Sequence, residues 1–271
     1  MPIRFYKPHG ALAPYIKNYG HVFLSPDNNN DLTKIDFFPH GFSALIYNLN
    51  QGEHISNGVE DIKICFRFSG QFDIHTGYHC KSANFVFMNF KPFGAYYLLG
   101  IPQQELLNSK IEIRDIFPNT QTLYHQLEDA ETDVSQIVCL LENWLLDRLA
   151  DTKYTDTNRY EFATSFIMKN QGSLPVQQLY GQLGMSATRM EHHFNEKIGL
   201  SPKKFSRIVR FNECMRFLAN CNDENINWTS VACQFGYFDQ MHFIREFKQF
   251  CGYSPTKFEL SRWNMSKLLT L

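Results

Sequence analysis

The side chains best suited to specific binding lie along one short segment near the C-terminus. Phe243 and Phe247 are four residues apart, so on a helix both would face the protein interior. The outward side chains would then be Gln240, Met241, Ile244 and Arg245. Arginine can form two hydrogen bonds to guanine and glutamine two to adenine, and an apolar side chain such as methionine can contact the methyl group of thymine. These outward side chains could therefore read base pairs in the major groove of DNA if the segment belongs to a DNA-binding motif, and a solvated helix face is the alternative.

A second segment of the same design lies further upstream. Met190 and Phe194 form the inward pair there. The outward side chains that we expect to read bases are Thr188, Arg189 and His192, with His193 beside them. For each of these polar residues, a solvated helix face is the alternative interpretation.

Lysine and arginine side chains crowd the ends of both segments and the stretch between them. Cations at such positions anchor a protein on the phosphate backbone without reading sequence. The residues that we expect to contact phosphate are Lys197, Lys203, Lys204, Arg207, Arg210, Lys248 and Lys257. Solubility alone is the alternative for some of them. The net charge is −5 over residues 1–159 and +4 over residues 160–271, which favours a polyanionic partner for the second half.

Helices must position these side chains, because the chain from residue 160 onward has helical periodicity with glycine stops. The predicted helices are 160–170, 176–183, 187–198, 202–219, 229–235, 239–250 and 255–263.

Two parts of this region repeat. Phe-x4-Gly-x-Ser-Pro-x-Lys-Phe occurs from Phe194 and again from Phe247, at a lag of 53 residues. Upstream, the sequence Gln-Leu-Gly ending at Gly184 matches Gln-Phe-Gly ending at Gly236 at a lag of 52, so the second copy has one extra residue in its turn. A short helix, a tight turn with glycine and a second helix form the helix-turn-helix pattern, present here twice.

The second copy resembles the signature of the AraC/XylS family of bacterial transcription regulators. The matching residues run from Gly236-Tyr-Phe-Asp-Gln-Met-His-Phe-Ile-Arg-Glu-Phe-Lys to Gly252-Tyr-Ser-Pro-Thr-Lys-Phe258. The sequence departs from the family pattern at Met241, at His192 and at Tyr180, where serine, arginine and a small residue are common. The resemblance covers about residues 160–263 and implies two helix-turn-helix units in adjacent major grooves. The helix 202–219 would link recognition helices at 187–197 and 240–250.

The resemblance also implies a function and partners. The implied function is sequence-specific binding to double-stranded DNA and regulation of transcription, which in such regulators is more commonly activation. The implied partners are RNA polymerase and a small-molecule effector that binds the N-terminal part. No enzymatic activity and no cofactor is expected. The effector, the operator and the regulated genes are not indicated by the sequence.

The first half of the chain reads as short strands rich in aromatic and β-branched residues, separated by turns. We predict strands at 20–25, 35–38, 42–49, 62–68, 84–90 and 95–99. With the helical second half, this predicts an α+β protein whose N-terminal part is a barrel or sandwich with flanking helices. Its order of strands and then helices resembles the cupin-like effector domains of many AraC/XylS regulators, which implies a cupin-like fold. The stretch from Pro14 to Pro102 also resembles an uncharacterised N-terminal domain type of such regulators.

A helix at residues 134–149 follows, with Asp133 as its predicted cap. Its apolar side chains suit a contact between two copies of the chain; they include Val134, Ile137, Leu141, Trp144 and Leu145. Packing on the protein's own strands is the alternative. The polar stretch 151–158 is the predicted linker, which divides the chain into 1–155, for effector binding and dimerisation, and 156–271, for DNA binding.

Composition and motifs also bear on a membrane location, on the state of the cysteines and on an alternative function as a metal-binding enzyme. No apolar run approaches the length of a membrane helix, and seven cysteines without a Cys-x-x-Cys pair favour buried thiols in a reducing cytoplasm. His75 and His79, with His54 or His21, could hold a metal ion as in enzymatic cupins, but the His-x-His pattern followed by glutamate is absent. An enzyme or ligand receptor on the first half is the alternative function. DNA binding that weakens steeply with salt would distinguish the two.

Overall fold

The computed structural model describes residues 3–24, 33–50, 54–56, 61–63, 65–152, 157–221 and 226–258. Its N-terminal part contains two antiparallel sheets. The strands are β1 (Ile3–Tyr6), β2 (Ile16–Leu24), β3 (Thr33–Phe37), β4 (Ala44–Asn48), β5 (His54–Ser56), β6 (Asp61–Lys63), β7 (Phe66–Ser69), β8 (Thr76–Cys80), β9 (Ala83–Phe90) and β10 (Lys110–Glu112). One sheet has the order β1-β2-β9-β4-β7-β10, and the other has the order β3-β8-β5-β6.

Alternation along the strands gives the larger sheet two different faces. Tyr47 pairs with Phe66 and Leu45 with Phe68, and these four buried side chains point toward the helices that follow the sheet. The opposite face packs toward the smaller sheet, where Phe37 lies in one cluster with Phe85 and Phe87. The strand-rich architecture predicted for the N-terminal part is therefore confirmed.

Four α-helices flank the sheets: α1 (Gly94–Leu99), α2 (Ile113–Ile116), α3 (Gln121–Asp129) and α4 (Val134–Asp151). The strand predicted at 95–99 is wrong, because α1 occupies these residues. All six residues of α1 are buried, and an apolar run buried on every side does not distinguish a strand from a helix. The cap predicted for α4 is confirmed, since Asp133 accepts hydrogen bonds from the backbone N–H groups of Ser135 and Gln136.

The C-terminal part is helical, as predicted. Its helices are α5 (Asn158–Lys169), α6 (Val176–Leu183), α7 (Ala187–Ile198), α8 (Pro202–Asn220), α9 (Trp228–Gln234) and α10 (Gln240–Cys251), followed by a 3-10 turn at Pro255–Lys257. The helix predicted at 255–263 is thus a short turn at its start, and the rest of it lies outside the described residues. The predicted domain boundary at 155 and part of the linker also lie outside them.

The C-terminal core includes side chains from the other half of the chain. Phe38, Phe93, Tyr96 and Tyr97 belong to the same buried cluster as the aromatic residues of the C-terminal helices. The two parts are therefore packed together over a continuous apolar contact. Among the described residues, no helix is both long enough and apolar enough to cross a membrane.

Candidate nucleic-acid interface

The second helix of the second repeat, α10, presents the predicted base-reading side chains on one face. Asp239 caps it by accepting a hydrogen bond from the backbone N–H of His242, 2.6 Å away. Phe243 and Phe247 are completely buried, while Met241 and Arg245 are exposed on the other side. Gln240 is partly buried, and its Oε1 accepts a hydrogen bond from the hydroxyl of Thr229 at 2.9 Å.

The corresponding helix of the first repeat, α7, has the same arrangement. Ser186 caps it through a hydrogen bond from the backbone N–H of Arg189, and Met190 and Phe194 are buried. The side chains on the outer face are exposed at Thr188, Arg189 and His192. His193, in contrast, is half-buried beside Glu196, with its Nδ1 3.5 Å from a carboxylate oxygen, so it turns away from this face.

A buried carboxylate joins α10 to the linking helix α8. Glu246 is almost completely buried, and it accepts hydrogen bonds from Arg207 Nε at 2.6 Å and from Arg210 Nη2 at 2.8 Å. A buried charge needs such partners to offset the loss of hydration. Arg207 and Arg210, which we expected to contact phosphate, thus hold α10 against α8.

Two of the predicted phosphate contacts instead face the N-terminal part. Lys204 forms an ion pair with Asp73, and Lys197 lies with its Nζ 4.1 Å from the ring centre of Tyr96. Burial raises the pKa of Asp73, but hydrogen bonds from Lys204 and Asn108 outweigh it, so the net shift is downward. Of the predicted phosphate contacts, Lys203, Lys248 and Lys257 are exposed to solvent.

Both recognition helices end at a glycine that touches the N-terminal part. Gly199 ends α7 with φ of +85°, and a Cβ placed there would lie 2.8 Å from the carbonyl oxygen of Gln103. Gly252 ends α10 with φ of +80°, and a Cβ there would lie 2.9 Å from Nδ1 of His75. Only glycine combines a left-handed backbone with so close an approach.

Polar contacts surround these two glycines. The hydroxyl of Tyr96 donates to Glu196 at 2.9 Å, next to Gly199 in the first repeat. Near the second repeat, His75 pairs with the buried Asp36 at 2.7 Å, and its ring lies 5.7 Å from that of Tyr253. These contacts, together with the apolar cluster, hold both helix-turn-helix units against the N-terminal part.

The linking helix also touches the N-terminal part through a buried amide, and positive charges of the two parts lie near each other there. Asn212 on α8 donates a hydrogen bond to the carbonyl oxygen of Pro39 at 3.0 Å. Next to Pro39, burial and the nearby charge of Lys17 lower the pKa of His40 to about 4. Burial and the charge of Arg216, on α8, in turn lower the pKa of Lys17 to about 8.

The apolar face of α4, expected to contact a second copy, packs within the chain. Ile137, Leu141 and Leu145 are buried in the N-terminal core. Val134 is partly buried against the same core, and the ring of Trp144 lies 5.9 Å from that of Phe66. The alternative interpretation, packing on the protein's own strands, describes this face correctly, so a dimer contact would have to use other residues.

Two of the histidines considered for a metal site have other side-chain partners. His75 is paired with Asp36, and Nε2 of His21 lies 2.7 Å from Oδ1 of Asn84. His79 lies on β8 opposite Lys34 and Ser56, and the side chain of His54 lies outside the described residues. Within the described part of the chain, no group of three or more histidine, cysteine or acidic side chains could hold a metal ion.

Two helix-turn-helix units, each with a buried apolar face and an exposed face of potential base-reading residues, define a class of DNA-binding proteins. Comparison with known families agrees: residues 179–260 match the helix-turn-helix domain family, and residues 4–112 match a domain of unknown function (DUF6597). The chain thus carries an AraC-type helix-turn-helix domain behind an uncharacterised N-terminal domain, and such a domain supports DNA binding.

Solved structures similar to this chain include two of ToxT from Vibrio cholerae. The structure with a bound unsaturated fatty acid is 10% identical and covers 93% of this chain and 96% of its own, with a TM-score of 0.45. The structure bound to a methylnaphthalenyl butenoic acid is 10% identical and covers 94% and 100%, with a TM-score of 0.46. The AraC-like transcriptional activator CuxR is 14% identical and covers 78% and 86%, with a TM-score of 0.22. No curated protein matches the chain.

Proposed function

We propose that this protein binds a specific DNA operator with both helix-turn-helix units and regulates transcription there. The observation that carries the proposal is the shared design of α7 and α10, which bury Met190 and Phe194 or Phe243 and Phe247 and expose the opposite face. The base-reading residues would be Thr188, Arg189, His192, Gln240, Met241 and Arg245. In this proposal the residues that contact phosphate are the exposed lysines Lys203, Lys248 and Lys257.

The second unit carries the greater part of the affinity in this proposal. On α10, the one carboxylate is Glu246, which is buried and paired with two arginines, so the exposed charges are those of Arg245 and Lys248. On α7, Glu191 is exposed directly beside His192 and repels phosphate. The first unit would therefore contribute sequence selectivity and lengthen the DNA site, and it would supply the smaller part of the binding free energy.

Selection of operator DNA from a random pool with the full chain tests this function. The selected sequences should contain two conserved blocks about one helical turn apart, and affinity should fall steeply with salt. Arg245→Ala should weaken binding more than Arg189→Ala, because of the charge difference between the two helices. A chain that selects no sequence, or that binds without salt dependence, would contradict the proposal.

We further propose that the N-terminal part fixes the relative placement of the two units. Its contacts lie at the ends of α7 and α10, through Gln103 and His75, and not on the base-reading faces. A rigid arrangement avoids the entropy of ordering both units on DNA. Asp73→Asn combined with Tyr96→Phe should therefore lower affinity for a two-block operator and leave affinity for a single block unchanged. Increased affinity for the two-block operator would contradict this role.

The response to an effector belongs to the same proposal. Lys110 connects the two sheets, with its Nζ 3.6 Å from the ring centre of Tyr78 and 5.4 Å from that of Phe72. Burial and the nearby charge of Arg67 lower the pKa of Lys110 to about 7. A carboxylate ligand beside this amine would restore its charged form, so acidic small molecules are the effector class that we favour. Thermal stabilisation of the wild type by such acids, lost in Lys110→Met, tests this assignment.

The activator role, contact with RNA polymerase and pairing with a second copy stay predictions that rest on the family resemblance. Transcription from the selected operator, measured with purified RNA polymerase in the presence and absence of this protein, distinguishes activation from repression. Sedimentation of the free protein measures whether it forms a dimer.

A further inference from the structure

The turn between the helices of the second repeat contains the extra residue. In the first repeat, Gly184 is followed by Met185 and then by the cap Ser186. In the second repeat, Gly236 is followed by two residues before the cap Asp239. Both glycines have a left-handed backbone, with φ of 60° and 70°, so the turns begin in the same way.

Tyr237 takes the structural place of Met185. The backbone N–H of Met185 donates to the carbonyl of Tyr180, and that of Tyr237 donates to the carbonyl of Ala232, the equivalent residue 52 positions later. Both side chains are buried. Phe238 is therefore the inserted residue.

The insertion leaves Phe238 without a packing role. An apolar residue directly before a helix cap often packs on the fourth residue of the helix, which here is Phe243. That contact is made instead by Tyr237, whose ring lies 5.2 Å from the ring of Phe243. Phe238 is 92% exposed and Met241 is 62% exposed, the two highest values among the large apolar side chains described.

The surroundings of Phe238 suit DNA. It precedes the first turn of α10, and the N-terminal residues of such a helix are those that reach base edges. Arg245 and Lys248 continue the exposed face with positive charge, while the carboxylate of Asp239 is occupied by the helix cap. The major groove offers one apolar group to an exposed phenyl ring, the C5-methyl group of thymine.

We propose that Phe238 and Met241 together contact thymine methyl groups, so that the inserted residue gives the second unit a preference for thymine beside the bases read by Gln240 and Arg245. The inference rests on the proposed operator binding. It adds a specificity-determining residue that has no counterpart in the first repeat.

Replacing each thymine of the selected operator by uracil, one at a time, removes single methyl groups and tests the proposal. Burial of one methyl group corresponds to about a fourfold change in affinity. We expect at least one replacement in the block of the second unit to weaken binding by the full-length wild type about threefold to tenfold. The same replacement should have no effect on Phe238→Ala, whose affinity for the thymine operator is already reduced.

Controls separate this effect from changes in stability and in the general function. Phe238→Ala should unfold at the same temperature as the wild type, because the ring is exposed. Phe162→Ala removes another exposed phenyl ring, from α5, and should keep the full response to uracil.

Three outcomes would overturn the inference without touching the proposed function. In the first, Phe238→Ala loses affinity on every thymine replacement to the same extent as the wild type, while Arg245→Ala still alters base preference. Another is a wild type that responds to no replacement. The third is a Phe238→Ala variant with normal operator affinity that fails only in transcription with RNA polymerase, which would assign the ring to a protein partner. A wild type that selects no operator at all would instead contradict the proposed function.

Discussion

Gly199 and Gly252 occupy the same position in the two repeats, and each ends a recognition helix against the N-terminal part of the chain. The neighbour is the carbonyl oxygen of Gln103 in one case and the ring of His75 in the other. The repeat therefore provides two equivalent contact points, and two different segments of the N-terminal part pack against them. This arrangement supports the proposal that the N-terminal part fixes the relative placement of both units.

Replacing Gly199 by alanine should destabilise the protein more than the same change at Gly184. Both glycines have positive φ, so both variants carry the backbone cost of about 1–2 kcal/mol. A Cβ at Gly184 meets open space, whereas one at Gly199 collides with the backbone of Gln103. Urea unfolding of the full chain measures the difference. Equal losses of stability would show that the contact at Gly199 is loose.

Substitution of two neighbouring residues on α10 should change the stability of the protein by very different amounts. Glu246→Ala removes the buried partner of two arginines and should cost about 3–5 kcal/mol of stability. Arg245→Ala removes an exposed side chain and should change stability by less than about 0.5 kcal/mol. Thermal unfolding of both variants provides the test. A stable Glu246→Ala variant would mean that water readily replaces the carboxylate.

Arg245 and Lys248 should differ in how they contribute to DNA binding. Arg245→Ala should lose about 1–3 kcal/mol of affinity and relax preference at one base position. Lys248→Ala should weaken all sequences alike and reduce the salt slope by about one unit. Binding to the operator and to its single-base variants at several salt concentrations separates the two. An Arg245→Ala variant that behaves like Lys248→Ala would assign Arg245 to phosphate.

The stability of the protein should fall as the pH drops from about 6.5 to about 4, in part because of His40. The pKa of His40 is lowered from 6.5 to about 4 in the folded protein. Below pH 6.5 the unfolded chain therefore binds a proton that the folded protein does not, at a cost of up to about 1.4 kcal/mol per pH unit. Urea unfolding between pH 7 and pH 4.5 should show a shallower decline for His40→Gln. His125→Gln, at an exposed site, should keep the steeper decline.

Aspartate at Leu141 and Leu145 should unfold the N-terminal part rather than yield a folded monomer. Both leucines are buried in the core of their own chain, and a buried unpaired charge is costly. Asn143→Asp, on the exposed side of the same helix, should leave the fold intact. Circular dichroism and sedimentation of the two variants distinguish the cases. A folded monomer from the double variant would restore the dimer interpretation.

Local patterns were sufficient to predict the helical half and its exposed faces. The spacing of Phe243 and Phe247 fixes the orientation of α10 because a helix has one periodicity, and the cap at Asp239 and the stop at Gly252 are encoded in adjacent residues. The same reasoning located α4 and its cap. It failed at residues 95–99, because a segment buried on all sides has no polar alternation from which a period could be read.

Tertiary structure alone decided which cations are free to meet DNA. Lys203 and Lys204 are neighbours in the same helical turn, yet only Lys204 reaches Asp73, a residue far away in the sequence. The partners of Arg207 and Arg210 likewise come from another helix. Charge and spacing show that a side chain can bind an anion, but the anion it finds depends on which distant segments the fold brings beside it.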